Sequence, residues 1–168
     1  IDVILPLPLK GTFTYCTDED DLLVGQRVVV QFGSRKLYTA IVKCIHDKKP
    51  VDYEAKPLLA ILDEVPVVNF IQLKLWDWIA DYYMCNLGDV MNAALPASFK
   101  LASESKVIMH FDFDGDMNHF SLHESSLLEA LSCKEELSVN EISKLLNIKN
   151  VFSFINELIR KEIVQIKE

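Results

Sequence analysis

Three short runs rich in Val, Ile, Thr, Phe and Tyr near the start of the chain constrain its fold more than any other feature. They cover residues 12–16, 27–32 and 37–45, and the acidic or glycine-containing segments between them supply turns. Residues 57–62 form one more run of this kind. Short strands at this spacing predict a small barrel or a strongly curved sheet, as in OB-like domains.

A helical pattern follows the strands after Pro66. Asn69 and Gln72 have the spacing of a capping box and predict the start of a first helix. Asn86 and Asp89 predict the start of a second, shorter helix. The first domain is therefore expected to be strand-rich with two helices. We expect four aromatic residues of the first helix to pack in its core: Trp76, Trp78, Tyr82 and Tyr83.

Residues 97–105 are small and polar, and we place a domain boundary there, which gives domains of residues 1–103 and 104–168. The second domain is predicted to contain a strand, three helices and a last strand, at residues 106–114, 124–133, 138–146, 151–161 and 163–166. Three short helices followed by a strand are typical of winged-helix domains. The predicted fold class of the chain is α+β.

The third helix of a winged-helix domain is the usual element to enter a DNA groove. Here that helix offers Asn150, Ser153, Asn156 and Arg160, but it also carries the acidic Glu157. The pattern leaves open whether this domain contacts DNA or only supports its neighbour.

The charge distribution limits any nucleic-acid contact to one part of the chain. The net charge of −8 over 168 residues argues against binding through a broad basic face. Residues 1–60 balance eight basic against eight acidic side chains, so the whole acidic excess lies beyond them. A contact with nucleic acid is therefore expected in the first third, and it should be small and local.

Catalytic motifs are missing from the sequence. It contains neither a GxxxxGK[ST] phosphate loop nor a nucleophile–base pattern, so this chain is not expected to hydrolyse ATP. Asp112, Asp114 and Asp116 imitate the start of a calcium loop, but Met117 stands where that loop needs glycine, and no metal is expected. The four cysteines form no CxxC pair, and reduced thiols are favoured over disulfides. No long apolar run or signal peptide is visible, which favours a cytoplasmic protein.

Four segments, taken in order, resemble the amino-terminal region of one family. The proline-bent run Leu5-Pro6-Leu7-Pro8 leads into Phe13-Thr14-Tyr15, and Gln31-Phe32-Gly33 ends a strand before two cations. The aromatic segment at residues 76–83 and the segment at residues 87–96 complete the set. Together they are similar to the bacterial replication-restart helicases, the primosomal protein N′ family. The resemblance is dense over residues 3–97.

This resemblance implies a pocket that holds the last nucleotide of a DNA strand with a free 3′-hydroxyl. It places Phe13, Thr14 and Tyr15 in that pocket, lets the backbone at Gly33 approach the terminal sugar, and brings Lys56 to the nucleotide. An aromatic face suits this role because it stacks on any base. Without the resemblance, these residues read as core aromatics on a strand, a turn glycine and a solvated lysine.

Thr14 departs from the family, which usually has an aspartate at this position. A hydroxyl is neutral and shorter than a carboxylate, and it both donates and accepts hydrogen bonds, so the base contact is expected to be weaker or altered. Arg35 and Lys36 are candidate contacts to the adjoining phosphates because of their charge alone.

The resemblance implies a DNA-binding part of a longer ATP-dependent 3′–5′ DNA helicase, whose ATP, Mg and zinc sites lie outside this chain. It would capture the 3′-hydroxyl end of the nascent leading strand at a stalled fork and so orient the helicase. Forked or 3′-ended DNA, single-strand-binding protein and primosome proteins would be its partners, with the chain a nucleoid-associated monomer. Two alternatives stay open: a non-catalytic interaction scaffold of the primosome, and an RNA-binding OB-type module.

Overall fold

The computed structural model describes residues 1–33, 36–50, 53–111, 113, 120–148 and 150–167. The chain divides into two compact units, Ile1–Lys100 and Leu101–Glu168. Each unit contains both strands and helices, which confirms the predicted α+β class. Within the described residues, no helix is both long and apolar enough to cross a bilayer.

Five antiparallel strands form the sheet of the first unit, in the order β2-β1-β4-β3-β5. They are β1 (Asp2–Ile4), β2 (Phe13–Thr14), β3 (Arg27–Phe32), β4 (Lys36–Cys44) and β5 (Ala60–Ile61). The prediction for residues 27–32 coincides with β3. The runs at residues 12–16 and 57–62 form shorter strands than predicted, and β1 was not predicted as a separate strand.

The two edges of this sheet meet beyond the ends of their strands. Cys16, which follows β2, forms a parallel bridge with Pro57, which precedes β5. The Cys16 N–H donates to the Lys56 carbonyl over 2.9 Å, and the Leu58 N–H donates to the Cys16 carbonyl over 2.8 Å. Because β2 and β5 are opposite edge strands, this bridge requires strong curvature, as the strand spacing predicts.

Two helices of the first unit are α1 (Phe70–Tyr83) and α2 (Leu87–Ala94). The Asn69 side chain accepts the Gln72 N–H over 2.9 Å, and the Gln72 side chain accepts the Asn69 N–H over 2.8 Å. Asp89 likewise accepts the Asn86 N–H over 3.0 Å. Both predicted helix starts are therefore confirmed. These contacts satisfy backbone donors that the first turn of a helix leaves unpaired.

Successive side chains of the strands face two different cores, because a strand points alternate residues to opposite sides. One core holds Val3, Val28, Val30, Ala40 and Val42. The other lies between the sheet and the helices, and it contains Ile4, Ile41, Leu73, Trp76 and Met91.

Only one of the four aromatic residues predicted to pack in the core does so. Trp76 is buried, whereas Trp78, Tyr82 and Tyr83 are 56%, 66% and 66% exposed. The prediction was wrong for these three because α1 presents only one stripe to the sheet, formed by Leu73, Trp76 and Ala80. Trp78 lies off that stripe and stacks on Tyr82 with ring centroids 5.0 Å apart.

Close packing of α2 fixes the proline-bent segment that leads into β2. A Cβ at Gly88 would lie 1.9 Å from the Leu7 carbonyl oxygen and 2.5 Å from that of Leu5. Only glycine permits this approach of helix to backbone. The Asn92 side chain also donates to the Pro6 carbonyl over 3.1 Å. The proline-bent segment between β1 and β2 is thereby held in place against α2.

The second unit combines a three-stranded antiparallel sheet, in the order β7-β6-β8, with three helices. Its strands are β6 (Lys106–Met109), β7 (Glu136–Ser138) and β8 (Val164–Ile166), and its helices are α3 (Leu122–Cys133), α4 (Val139–Leu146) and α5 (Val151–Arg160). The three predicted helices and the last strand are confirmed. β7 was not predicted, and the strand predicted for residues 106–114 is shorter. The calcium-like segment at residues 112–117 falls outside the described residues, apart from Phe113.

Candidate nucleotide-binding site

A cavity of about 320 Å³ lies where the end of β2, the end of β3 and the segment before β5 come together. Its lining includes all five residues for which the family resemblance implies 3′-end binding: Phe13, Thr14, Tyr15, Gly33 and Lys56. Four further residues complete the lining: Gln31, Phe32, Tyr53 and Glu54. The bridge between the sheet edges explains this convergence, because it brings residues 53–56 beside β2.

Aromatic rings form one wall of the cavity. Phe13 meets Phe32 edge to face, with ring centroids 4.9 Å apart and planes at 73°. Phe32 in turn contacts Tyr38 of β4 in the same manner, with centroids 6.4 Å apart. Edge-to-face pairs are a favoured aromatic geometry. Phe32 therefore fixes the orientation of the Phe13 ring, which the resemblance places in the nucleotide pocket.

Tyr15 acts chiefly as a support for the cavity. Its side chain is buried in the core of the sheet, and its hydroxyl donates to the Gln31 carbonyl over 3.0 Å. Burial, with a smaller contribution from Tyr53, raises the pKa of Tyr15 to about 12. Tyr15 therefore stays neutral and ties the end of β2 to the end of β3.

Thr14 uses both of its hydrogen-bond donors within the protein. Its N–H donates to the Tyr53 hydroxyl over 2.9 Å, and its own hydroxyl donates to the Asp2 carboxylate over 2.7 Å. Toward a ligand, the Thr14 hydroxyl can therefore act only as a hydrogen-bond acceptor. Asp2 also contacts His46, with 3.1 Å between the Asp2 Oδ1 and His46 Nε2 atoms. Burial would raise the pKa of Asp2, but hydrogen bonds from Thr14 and His46 outweigh it, and the pKa is lowered.

Gly33 and Lys56 meet directly at the cavity. The Lys56 Nζ donates to the Gly33 carbonyl oxygen over 2.5 Å. Gly33 has a φ of +70°, which favours glycine, and among the described residues no atom beyond its chain neighbours lies within 4 Å of the place where a Cβ would stand. Gly33 is thus both a turn glycine and a backbone position open to close approach.

Lys36, one of the two candidate phosphate contacts, is not among the described residues of this lining. Lys36 begins β4 opposite Phe32 in the strand register, and it is exposed. Arg35 lies outside the described residues. Their role in phosphate binding stays a prediction.

Sequence reasoning missed Gln31, Phe32, Tyr53 and Glu54 as lining residues. Gln31 and Phe32 directly precede Gly33 in a segment that already carried the resemblance, so their neighbourhood was a usable signal. Tyr53 and Glu54 belong to a polar connection without periodicity. Only their nearness to Lys56 in sequence could have pointed to them.

One of the polar residues that α5 offers as a possible contact to a DNA groove points into the protein. Asn156 is buried, and its side-chain amide donates to the Phe152 carbonyl over 2.9 Å in the preceding turn. Position 156 faces the core of the second unit rather than solvent, so its amide is not available to a DNA groove. Just beyond α5, Lys161 is paired with Glu124 over 3.0 Å and with Glu157 over 2.7 Å, which offsets its charge.

The fold and the cavity define a class of protein: a curved-sheet domain with an aromatic pocket at the junction of its edges, followed along the chain by a winged-helix unit. The family model of the PriA 3′DNA-binding domain (3′BD) matches residues 2–96, and a winged helix domain model matches residues 104–168. The chain belongs to the PriA 3′DNA-binding domain family.

Three proteins named replication restart protein PriA are similar to the first part of the chain. That of Haemophilus influenzae is 37% identical over 105 residues, which cover 60% of this chain and 14% of that protein. That of Treponema pallidum is 27% identical over 105 residues, which cover 58% of this chain and 16% of that protein. That of Buchnera aphidicola is 30% identical over 98 residues, which cover 57% of this chain and 13% of that protein. The chain therefore matches only a small share of the length of these relatives.

Proposed function

We propose that this chain is the DNA-binding part of a replication-restart helicase, and that its cavity captures the 3′-hydroxyl end of the nascent leading strand at a stalled fork. One observation carries the proposal. The five residues for which the resemblance implies 3′-end binding come from three separate segments of the sequence, namely residues 13–15, Gly33 and Lys56, yet they line one aromatic cavity. Membership of the PriA 3′DNA-binding domain family supports the same function.

The chemistry of the cavity suits one terminal nucleotide. Phe13 offers a ring that can stack on any base, at a gain of about 1–3 kcal/mol. The Thr14 hydroxyl offers an acceptor, and every base carries at least one N–H donor on its Watson–Crick edge. Lys56 supplies a cation next to the Gly33 carbonyl. Binding is therefore expected to depend on the end of the strand rather than on its sequence.

In the longer protein, end capture would orient an ATP-dependent 3′–5′ helicase for reloading of the replication machinery. ATP, Mg and zinc would then be bound by parts of the protein outside this chain. Single-strand-binding protein and other primosome proteins would be partners in the cytoplasm, at the nucleoid. We propose that the chain itself acts as a monomer.

A second candidate function, a protein-interaction scaffold of the primosome, draws support from α1. Trp78, Tyr82 and Tyr83 form an exposed aromatic cluster there, and such surfaces are enriched at protein interfaces. This candidate requires neither DNA binding nor the cavity. DNA binding that is weakened by substitution of the cavity residues would therefore favour 3′-end capture over the scaffold.

Fluorescence anisotropy of labelled oligonucleotides tests the proposed function. An oligonucleotide ending in a 3′-hydroxyl is compared with one ending in a 3′-phosphate and with an RNA of the same sequence. Phe13→Ala and Lys56→Ala should each weaken binding of the 3′-hydroxyl end about tenfold. Equal affinity for both DNA ends would count against end capture, and a preference for RNA would favour the RNA-binding alternative.

A further inference from the structure

Two charged side chains stand among the described residues that line the cavity, those of Glu54 and Lys56. The Lys56 ammonium is held by the Gly33 carbonyl over 2.5 Å. Glu54 is exposed, and the structure records no hydrogen bond or ion pair between its carboxylate and another described residue. An anionic group thus stands in the lining without a protein partner recorded for it.

We propose that Glu54 makes the cavity selective for a 3′-hydroxyl by repelling a strand that ends in a 3′-phosphate. This inference rests on the proposed function and adds the residue that determines its selectivity. A terminal phosphate carries a charge of about −1.5 to −2 at neutral pH, whereas a hydroxyl is neutral. The hydroxyl can also donate a hydrogen bond to a carboxylate, which a fully ionised phosphate cannot do. Selectivity of this kind comes from a repulsive element as well as an attractive one.

Lys56, the one cation among the described residues of the lining, does not cancel this effect. A strand that ends in a 3′-hydroxyl still carries one phosphodiester on the 5′ side of its last nucleotide, and Lys56 can serve that charge. A 3′-phosphate adds more negative charge at the end that enters the cavity. The described lining offers no second cation for it, and it does contain Glu54. The charge balance of the described lining residues therefore fits a strand with one phosphate near its end.

The test uses the whole chain in the anisotropy assay with 3′-hydroxyl and 3′-phosphate oligonucleotides. Glu54→Gln should raise the affinity for the 3′-phosphate end about five- to tenfold, on the scale of one interaction between partly exposed charges. Its affinity for the 3′-hydroxyl end should change less than about twofold, since the amide oxygen still accepts a hydrogen bond. Glu54→Asp keeps the charge and should keep the discrimination. Raising the salt should reduce the discrimination of the native chain, because exposed charges are screened.

Glu64→Gln is the matched control, since it makes the same charge change at an exposed residue that does not line the cavity. It should leave the discrimination as in the native chain. If Glu54→Gln discriminates between the two ends as strongly as the native chain, or gains affinity equally for both, the role of Glu54 is overturned. The proposed function would still stand. Equal binding of both ends by the native chain would instead contradict the proposed function, and this inference with it.

Discussion

The Thr14 hydroxyl donates a hydrogen bond of 2.7 Å to the Asp2 carboxylate, across the paired strands β1 and β2. A carboxylate is thus already present beside position 14, where the family resemblance implies an aspartate. Because the Thr14 hydroxyl donates its hydrogen to Asp2, it is left to act as an acceptor toward a ligand. This chain therefore has threonine at position 14 and a carboxylate, that of Asp2, directly opposite it on the neighbouring strand.

Restoring the family residue is expected to harm this chain. Thr14→Asp would place two carboxylates side by side and remove the hydrogen bond, which should lower the free energy of unfolding by about 1–2 kcal/mol. Urea denaturation at neutral pH measures this change. The double variant Asp2→Asn with Thr14→Asp should recover most of the loss, because the like charges are gone. Equal stability of Thr14→Asp and the native chain would contradict the pairing of these two residues.

Tyr53 is expected to stack on the terminal base, since its ring lines the cavity and its hydroxyl is fixed by the Thr14 N–H. Tyr53→Leu should weaken binding of the 3′-hydroxyl end by about 1–3 kcal/mol. Tyr53→Phe keeps the ring and should lose much less. An oligonucleotide with 2-aminopurine as its last base reports stacking through fluorescence quenching. Quenching that is as strong with Tyr53→Leu as with the native chain would exclude this role.

Much of the fold could be predicted from the sequence where a local pattern specifies a local structure. Strand β3 and the capping boxes at Asn69 and Asn86 are of this kind. The aromatic residues of α1 were misjudged because the pattern does not show which stripe of a helix the sheet covers. Strand β7 was missed because three residues carry too little periodicity.

The candidate site divides in the same way. Phe13, Gly33 and Lys56 were found through the resemblance, and they do line one cavity. Asp2 and Tyr53 were not found, since their contacts depend on strand pairing and on the bridge between the sheet edges. Neither feature leaves a signal in a single sequence.

Gly88→Ala should destabilise the first unit. Alanine is otherwise favoured over glycine in a helix by about 0.5–1 kcal/mol. Here its Cβ would stand 1.9 Å from the Leu7 carbonyl oxygen, a backbone atom that cannot move aside cheaply. The net loss is expected to be about 1–3 kcal/mol, as for overpacking in a core. Ala93→Ser on the exposed side of the same helix is the control and should be nearly neutral. Thermal unfolding distinguishes them, and an unchanged Tm for Gly88→Ala would contradict the close packing of α2.

The second unit should lose stability in acid through its capping carboxylates. Hydrogen bonds from the N–H and hydroxyl of Ser138, then from Lys134, lower the pKa of Glu141 from 4.5 to about 2. Because the folded pKa is below the unfolded one, this stabilisation is complete above pH 4.5 and is lost as the pH falls towards 2. Glu141→Gln should therefore have a lower Tm at neutral pH and a weaker decline of Tm in that range. A variant that follows the native curve throughout would contradict the contribution of this cap.

The most direct test of end capture is an NMR titration of the labelled chain with a short single-stranded oligonucleotide and with its circular form, which has the same sequence but no end. Capture of the terminal nucleotide predicts that the linear strand shifts the backbone amide signals of Thr14, Gly33 and Lys56, and that the circle leaves them unchanged. Equal shifts with both strands, or shifts confined to α5 of the second unit, would contradict it.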